Sequence, residues 1–394
     1  FPLLHHPDNI SYAYTKSTNG SFDAIFQRIQ SVNRAPSKID PALGPLFDTI
    51  IMIVHLKFAS NLVPLTVEEL EGHVETSNQV KRMKEYTQFR AHNNELNFNN
   101  RNTSFVKAET ATKEHAAQRN ISNCNTDIFV EGSRYIVAAS KLLKERFPGY
   151  VFQHNAEQVG LIINHLANIF KHVAETDYSK YDGTQNEATV YIEKIVFAAM
   201  FLDPSPMFDV LDACSLTTFR ADEGLSYKPN YTRLSGSPQT SFSNSIINAV
   251  VAVTAYIYTK HGVPYTQTVH PSPQDIKEGF DRVVVGGDDG LAFDMDVNRY
   301  TELVNLLNLK IEVTNKSTDQ PLNMLALIYP NPKASPCAGP DIPRFLSKLS
   351  YGVKMSPLNE IQQIYAKLLG YYVTFAYNNP LFSNMLSKLF ALLP

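Results

Sequence analysis

This chain of 394 residues has few cysteines, no strong net charge and no long apolar run. Its three cysteines, Cys124, Cys214 and Cys337, are odd in number and far apart. That pattern excludes a CxxC zinc site and an even set of disulfides, and it favours a reducing compartment. The longest mostly apolar run, from Ile246 to Tyr258, is too short to cross a bilayer, so we expect no membrane segment in this chain. The formal net charge of −3 gives no global sign of a nucleic-acid partner.

Basic residues are nevertheless concentrated in one region. Between Arg101 and Arg146 there are eight Lys or Arg residues against five Asp or Glu. A local basic patch can indicate a nucleic-acid partner even when the net charge of the chain is near zero. The apolar fraction of 44% is enough for a substantial core. The length corresponds to two or three domains at roughly 150 residues each.

The predicted elements are mixed α and β without strict βαβ alternation. Helical patterns cover 66–90, 132–147, 156–172, 187–202, 246–260 and 297–308. A strand leads into Thr176, a tight hairpin covers 282–293, and 309–314 is extended, whereas 204–233 looks irregular. This order predicts an α+β fold with a central antiparallel sheet.

Two acidic motifs stand at the ends of predicted strands. They are Asp177-Tyr-Ser-Lys-Tyr-Asp182 and Gly286-Gly-Asp-Asp-Gly290. Phosphoryl transfer with two metal ions needs hard oxygen ligands side by side, which Asp177 and Asp288 would supply. Alone, Gly-Asp-Asp-Gly is more often a surface turn, because Asp and Gly are residues that turns prefer.

A third motif changes that balance. Between the acidic motifs lies Ser235-Gly-Ser-Pro-Gln-Thr240-Ser-Phe-Ser-Asn244, a loop that runs into the apolar helix. In this order, Asp-x₄-Asp, Ser-Gly-x₃-Thr-x₃-Asn and Gly-Asp-Asp resemble motifs A, B and C of the RNA-dependent RNA polymerases of positive-strand RNA viruses. The similarity is greatest to nodavirus-type replicases, with tombusvirus-like polymerases next. It covers roughly residues 100 to 394, and residues 1 to 100 carry no motif that we could place.

The resemblance implies a right-hand polymerase fold with fingers, palm and thumb. It implies fingers with an N-terminal extension over 1–170, palm over 171–203, a fingers insertion over 204–233, palm over 234–335 and thumb over 336–394. The implied activity is templated addition of ribonucleoside monophosphates to an RNA 3′ end, for viral genome replication and transcription. The chain would then be the catalytic core of a larger replicase.

The resemblance also implies roles for individual residues. Asp177 and Asp288 would bind two Mg²⁺ ions, which Mn²⁺ could replace, with Asp289 as a supporting ligand. The residues expected to bind the substrate around its ribose are Asp182, Ser235, Gly236, Thr240 and Asn244. The residues expected to contact the triphosphate, in a segment that resembles motif F, are Lys107, Lys113 and Arg119. In a segment that resembles motif D, Lys316 would protonate pyrophosphate; we chose it over Lys310 because it follows the predicted strand.

The implied partners are the RNA template and product and nucleoside triphosphates, with other replicase regions or a second copy of the chain as further candidates. The expected location is the host cytoplasm, in replication complexes held at membranes by regions outside this chain. Other interpretations stay open. One is a reverse transcriptase or DNA polymerase, which competition between NTPs and dNTPs would separate. The others are an inactive palm-like protein that binds RNA and a virion structural protein, for which metal-dependent synthesis is the test.

Overall fold

The structure, a computed structural model, describes residues 12–13, 18–30, 39–74, 76–91, 96–98, 102–107, 110–111, 118–221, 224–349, 358–376 and 379–392. The α-helices of this part of the chain are α1 (Thr18–Ile25), α2 (Gly44–Phe58), α3 (Val67–Glu71), α4 (Ser77–Arg90), α5 (Thr126–Arg146), α6 (Ala156–Ile169), α7 (Tyr181–Thr184), α8 (Glu187–Met200), α9 (Ser205–Leu216), α10 (Thr240–His261), α11 (Pro273–Phe280), α12 (Val297–Leu306), α13 (Ile342–Leu349), α14 (Glu360–Tyr371) and α15 (Pro380–Ala391). The strands are β1 (Tyr12–Ala13), β2 (Thr103–Val106), β3 (Thr110–Ala111), β4 (Asn120–Asn123), β5 (His172–Tyr178), β6 (Phe219–Ala221), β7 (Ser226–Tyr227), β8 (Val283–Gly286), β9 (Asp289–Phe293), β10 (Ile311–Ser317), β11 (Leu322–Met324), β12 (Leu327–Tyr329) and β13 (Gly339–Pro340). Short 3₁₀ turns cover Pro41–Leu43 and Val151–Gln153, and π-helical turns cover Phe26–Gln30 and Tyr372–Ala376.

A four-stranded antiparallel sheet carries both acidic motifs. Its strand order is β10-β5-β9-β8. Because successive side chains of a strand point to opposite faces, β5 buries Val173 on one face and Ala174 on the other. The Val173 face packs against α6 and the sheet β11-β12-β13, and the Ala174 face packs against α10 and α12. The predicted hairpin over 282–293 and the predicted antiparallel sheet are therefore confirmed.

Helix α10 is the main buried helix of the fold. It is longer than the apolar run in the sequence, because the polar residues on either side of that run are also helical. Two segments, Pro41–Phe58 and α10, are long and apolar enough to cross a membrane by length and composition. In α10, 83% of the apolar window is buried, compared with 39% in the other segment. Such burial is typical of the core helix of a globular protein.

A second mixed sheet has the order β4-β2-β6-β7. β2 pairs antiparallel with β4 and parallel with β6, so residues far apart in sequence share one sheet. The prediction that 204–233 is irregular is wrong, because α9, β6 and β7 lie in it. Pro204 and Pro206 stand at the start of α9, where a missing N–H costs nothing.

The single helix predicted over 66–90 is also corrected. The structure has α3 and α4 instead, and each has its own capping box. Thr66 pairs with Glu69 at the start of α3, and Thr76 pairs with Gln79 at the start of α4. A second N-cap marks a second helix start, a signal that helical periodicity alone does not show.

Helices α13, α14 and α15 enclose an apolar cluster of their own. Its buried members are Phe345, Leu349, Leu368, Phe375, Phe382 and Leu386. A separate cluster agrees with a thumb beginning near residue 336, but the domain boundaries themselves stay predictions.

Candidate active site

Carboxylates meet at one end of the central sheet. Asp177 on β5 lies opposite Asp289 on β9 and opposite Glu312 on β10. Directly opposed residues project from the same face of a sheet, and Asp288 occupies the adjoining β8–β9 turn. Burial raises the pKa of Asp177, and the charges of Asp288 and Glu312 raise it further. Burial, with the charges of Asp288 and Asp177, raises the pKa of Asp289 to about 6.

This acidic cluster (Asp177, Asp288, Asp289 and Glu312) has the chemistry of a divalent-cation site. Within the described residues, no set of three or more His, Cys, Asp or Glu side chains is already arranged around a metal position. The oxygens still fit Mg²⁺, because carboxylates that raise one another's pKa are stabilised by an added cation. One oxygen of Asp289, Oδ2, accepts the N–H of Leu325 at 3.1 Å, so this residue has less capacity left for a metal.

Helix α10 holds the turn that carries Asp288. Gly287 has a φ of +71°, a conformation that favours glycine, and its N–H donates to Ser245 Oγ at 2.8 Å. Asn248 Nδ2 donates to the carbonyls of Gly287 and Asp289, each at 3.3 Å. The sequence analysis missed Ser245 and Asn248. The available signal was their spacing of three positions, which places both side chains on the same face of a helix.

A second group of residues connects Asp182 to α8 and α10. Asn244 Nδ2 donates to Asp182 Oδ1 at 2.9 Å, as expected if these two residues act together. Arg233 Nε donates to Asn244 Oδ1 at 3.1 Å. The other guanidinium nitrogens of Arg233 donate to both oxygens of Glu193, at 3.0 and 2.8 Å. The sequence analysis did not single out Glu193, because a charged residue in a helical pattern usually indicates a solvated face. It did not single out Arg233, which lies in the segment predicted to be irregular.

The loop from Ser235 to Thr240 is attached to the neighbouring sheet. Ser235 Oγ donates to the Asn120 carbonyl at 3.0 Å, and the Gly236 N–H donates to the Ser122 carbonyl at 3.1 Å. A Cβ on Gly236 would lie 2.4 Å from that oxygen, so the approach requires glycine. Thr240 Oγ1 lies 2.7 Å from the Leu234 carbonyl. Both hydroxyls therefore hold the loop in place.

One cavity of about 720 Å³ connects these features. Its lining includes Asp177, Asp288, Asp182, Asn244, Ser235, Thr240 and Arg119, all of them predicted site residues. It also includes Arg28, from a region in which the sequence showed no motif. Lys107, Gly236 and Asp289 are among the described residues but not among those that line it. Lys113 lies outside the described residues.

The structure contradicts the premise on which Lys316 was preferred to Lys310. Strand β10 continues to Ser317, so Lys316 lies within the strand rather than after it. It pairs with Val173, four residues along β5 from Asp177 and therefore roughly 13 Å away. Its Nζ forms an ion pair with Glu175 at 2.7 Å. Lys310 is the lysine at the acidic end, where its carbonyl accepts the Ser179 N–H at 3.0 Å.

Comparison with known proteins decides the family. The model of a family described as RNA dependent RNA polymerase matches residues 116–350. The chain belongs to this family of RNA-dependent RNA polymerases. The prediction of a positive-strand RNA virus polymerase of nodavirus type is thus confirmed.

The curated relatives are viral proteins named RNA-directed RNA polymerase. That of Greasy grouper nervous necrosis virus is 28% identical over 306 residues, that of Atlantic halibut nervous necrosis virus 27% over 299, and that of Pariacoto virus 25% over 324. These matches cover 72%, 72% and 77% of this chain. The chain spans only 28 to 31% of the length of these relatives.

A solved structure supports the fold. The insertion-loop deletion mutant of a human picobirnavirus RNA-dependent RNA polymerase superimposes with a TM-score of 0.64 at 11% identity. The match covers 90% of this chain and 71% of the other. The right-hand α+β fold is therefore confirmed.

Proposed function

We propose that this chain adds ribonucleoside monophosphates to an RNA 3′ end under the direction of an RNA template. The observation that carries the proposal is one cavity lined both by Asp177 and Asp288 and by the Asp182–Asn244 pair. Asp177 and Asp288 would act at the reacting phosphate of the nucleotide, and the Asp182–Asn244 pair would act at its sugar. Family membership supports the same reaction. Because the chain spans 28 to 31% of its relatives, we infer that it works as the catalytic core of a larger replicase in genome replication and transcription.

The acidic cluster would bind the metal ions of the reaction. Asp177 and Asp288 would be the principal ligands of two Mg²⁺ or Mn²⁺ ions, with Asp289 in support. Bound divalent cations supply stabilisation of the negative charge on the reacting phosphoryl oxygens. The raised pKa values of Asp177 and Asp289 support this assignment, since they come from burial and from the charges of neighbouring carboxylates, which bound cations would offset.

The remaining roles belong to side chains around the cavity. Arg119 and Arg28 would pair with the triphosphate, because guanidinium groups bind phosphate oxygens in a bidentate manner. Lys107 and Lys113 would extend this basic channel. Lys310, instead of Lys316, would give a proton to the departing pyrophosphate. Its position beside Ser179 supports this choice.

The Asp182–Asn244 pair would recognise ribose. A 2′-hydroxyl both donates and accepts hydrogen bonds, so a carboxylate next to an amide can distinguish it from a deoxyribose. Ser235, Gly236 and Thr240 would shape this subsite through the loop that they hold. The proposed partners are RNA template, RNA product and nucleoside triphosphates, with other replicase regions or a second copy as further partners. The proposed setting is a replication complex at a host membrane, attached through other parts of the replicase.

The test is extension of an RNA template by the purified chain. NTPs and dNTPs are supplied separately, with and without a primer, at several Mg²⁺ concentrations. We expect Mg²⁺-dependent incorporation of NTPs that Asp177→Asn abolishes. The exposed Asp281, which pairs with Lys277 on α11, provides the control variant Asp281→Asn. RNA binding without metal-dependent synthesis would contradict the proposal, and a preference for dNTPs would favour a DNA-synthesising polymerase.

A further inference from the structure

Arg233 uses its donors on three different parts of the site. Its terminal guanidinium nitrogens bind both oxygens of Glu193, and Nε–H binds Asn244 Oδ1. Its backbone N–H donates to the Asp182 carbonyl at 2.7 Å. The side chains of Arg233 and Glu193 are 4% and 0% exposed. Two opposite charges buried this deeply must keep their pairing geometry, because separating them would leave a charge without solvent.

This arrangement fixes the orientation of the Asn244 amide. An amide has one acceptor atom and one donor group, and Arg233 has only donors to offer. Oδ1 must therefore face Arg233, which turns Nδ2 toward Asp182. A flipped amide would place its NH₂ against the guanidinium and its oxygen against the carboxylate. Both contacts would then be lost.

The fixed amide in turn determines what Asp182 can offer to a ligand. Asn244 occupies Oδ1 of Asp182, and no donor to Oδ2 occurs among the described residues. Asp182 lines the cavity, so this second oxygen is the acceptor available to a hydroxyl. Burial raises the pKa of Asp182, but the Asn244 hydrogen bond and the Arg233 charge act in the opposite direction, toward the ionised form.

We propose that Arg233 and Glu193 are positioning residues for the selection of ribose. Their ion pair would hold Asn244 in one orientation, so that Asp182 presents a free carboxylate oxygen to the 2′-hydroxyl of the incoming nucleotide. The inference rests on the proposed function, since it assigns a purpose to the same cavity. It adds two residues that need not touch the substrate.

The test compares Arg233→Lys with the wild type for the ratio of kcat/KM with an NTP to kcat/KM with the matching dNTP. Lysine keeps the buried positive charge but lacks the planar fork that holds Glu193 and Asn244 together. We expect the ratio to fall about tenfold, the effect of losing one net hydrogen bond to the 2′-hydroxyl. A purely structural role would lower both kcat/KM values equally and leave their ratio unchanged.

A matched control is available in α5. Arg134 also forms an ion pair with a buried glutamate, Glu131, at 2.8 Å, but it does not line the cavity. Arg134→Lys should leave the NTP to dNTP ratio unchanged. If Arg233→Lys does not fold, as judged by thermal unfolding, Glu193→Gln provides the same comparison with a side chain of nearly the same shape.

A binding measurement separates this inference from the proposed function. Calorimetry with an NTP and its 2′-deoxy analogue gives the ribose preference without any synthesis. In one outcome, the wild type binds the NTP more tightly than the 2′-deoxy analogue, the Arg233→Lys variant shows no such preference, and the wild type extends no RNA. The proposed function then fails and the positioning role stands. If synthesis occurs but the ratio does not change in either variant, the positioning role is overturned. If the wild type shows no ribose preference in either measurement, both are overturned.

Discussion

Two polar groups next to the cavity differ in how their charges are compensated. In the network of Asp182, Glu193, Arg233 and Asn244, each carboxylate receives hydrogen bonds from the side chain of another member. In the acidic cluster, by contrast, no carboxylate forms an ion pair with Lys or Arg within the described part of the chain. A hydrogen-bonded network with a buried ion pair keeps its geometry without a ligand. The like charges of the acidic cluster would be offset by the proposed metal ions. The comparison thus separates residues that maintain the geometry of the site from residues proposed to bind metal ions.

The largest expected effect comes from neutralising one member of the acidic cluster. Asp288→Asn should lower nucleotide incorporation by at least about a thousandfold, because a principal metal ligand is lost. The free energy of unfolding should stay the same or rise, since the substitution relieves repulsion with Asp177 and Asp289. Template extension and urea unfolding measure the two quantities. Activity near that of the wild type would contradict the assignment of Asp288.

Breaking the hydrogen-bonded network should instead affect stability first. Glu193→Ala leaves the buried guanidinium of Arg233 without its partner, and we expect the free energy of unfolding to fall by about 3–5 kcal/mol. Asp212, whose pair with Lys194 is partly exposed, gives the control Asp212→Ala, with an expected loss of about 0–1 kcal/mol. Equal losses in the two variants, measured by urea unfolding, would remove the distinction between buried and exposed pairs.

Adding Mg²⁺ should stabilise the folded chain through the acidic cluster. A cation that binds only the folded chain raises the free energy of unfolding by about 2.7 kcal/mol at a hundred times its Kd. We therefore expect Mg²⁺ to raise the thermal unfolding temperature of the wild type more than that of Asp177→Asn. NaCl at equal ionic strength is the control. Identical shifts in both proteins would show that Mg²⁺ does not bind at the acidic cluster.

The smallest effect is expected at the other end of the sheet. Lys316 already pairs with Glu175 there, away from the acidic cluster. Lys316→Ala should change incorporation by less than about twofold and stability by at most about 1 kcal/mol, the range of partly exposed ion pairs. Lys310→Ala should slow incorporation more. Rates of single-nucleotide addition by the two variants decide the order, and a larger loss in Lys316→Ala would restore the original assignment.

The sequence was informative where the chemistry depends on residue types at short spacing. Asp177, Asp288 and Asn244 lie in compact motifs, so they could be found without knowing the fold. The end of β10 could not be predicted in the same way. The strand continues to Ser317 because it pairs with β5, a contact between segments far apart in the chain. The expectation that Lys316 follows the strand is wrong for that reason.

Long-range pairing also explains the other differences from the sequence analysis. β6 looked irregular because its partner, β2, lies more than a hundred residues upstream. Glu193 and Arg233 are 40 positions apart, and neither belongs to a motif by itself. Their importance appears only when folding places them together in a space that water does not reach.

Under the proposed function, helix α10 would affect the accuracy of copying. Asn244, Ser245 and Asn248 occupy little more than one turn of this helix, yet they contact both the Asp182 subsite and the turn that carries Asp288. A rigid turn cannot move one contact without moving the other. A nucleotide that fails to engage the sugar subsite would therefore also leave the reactive turn less well aligned. Selection of the sugar and the rate of the reaction would then both depend on the same turn of α10.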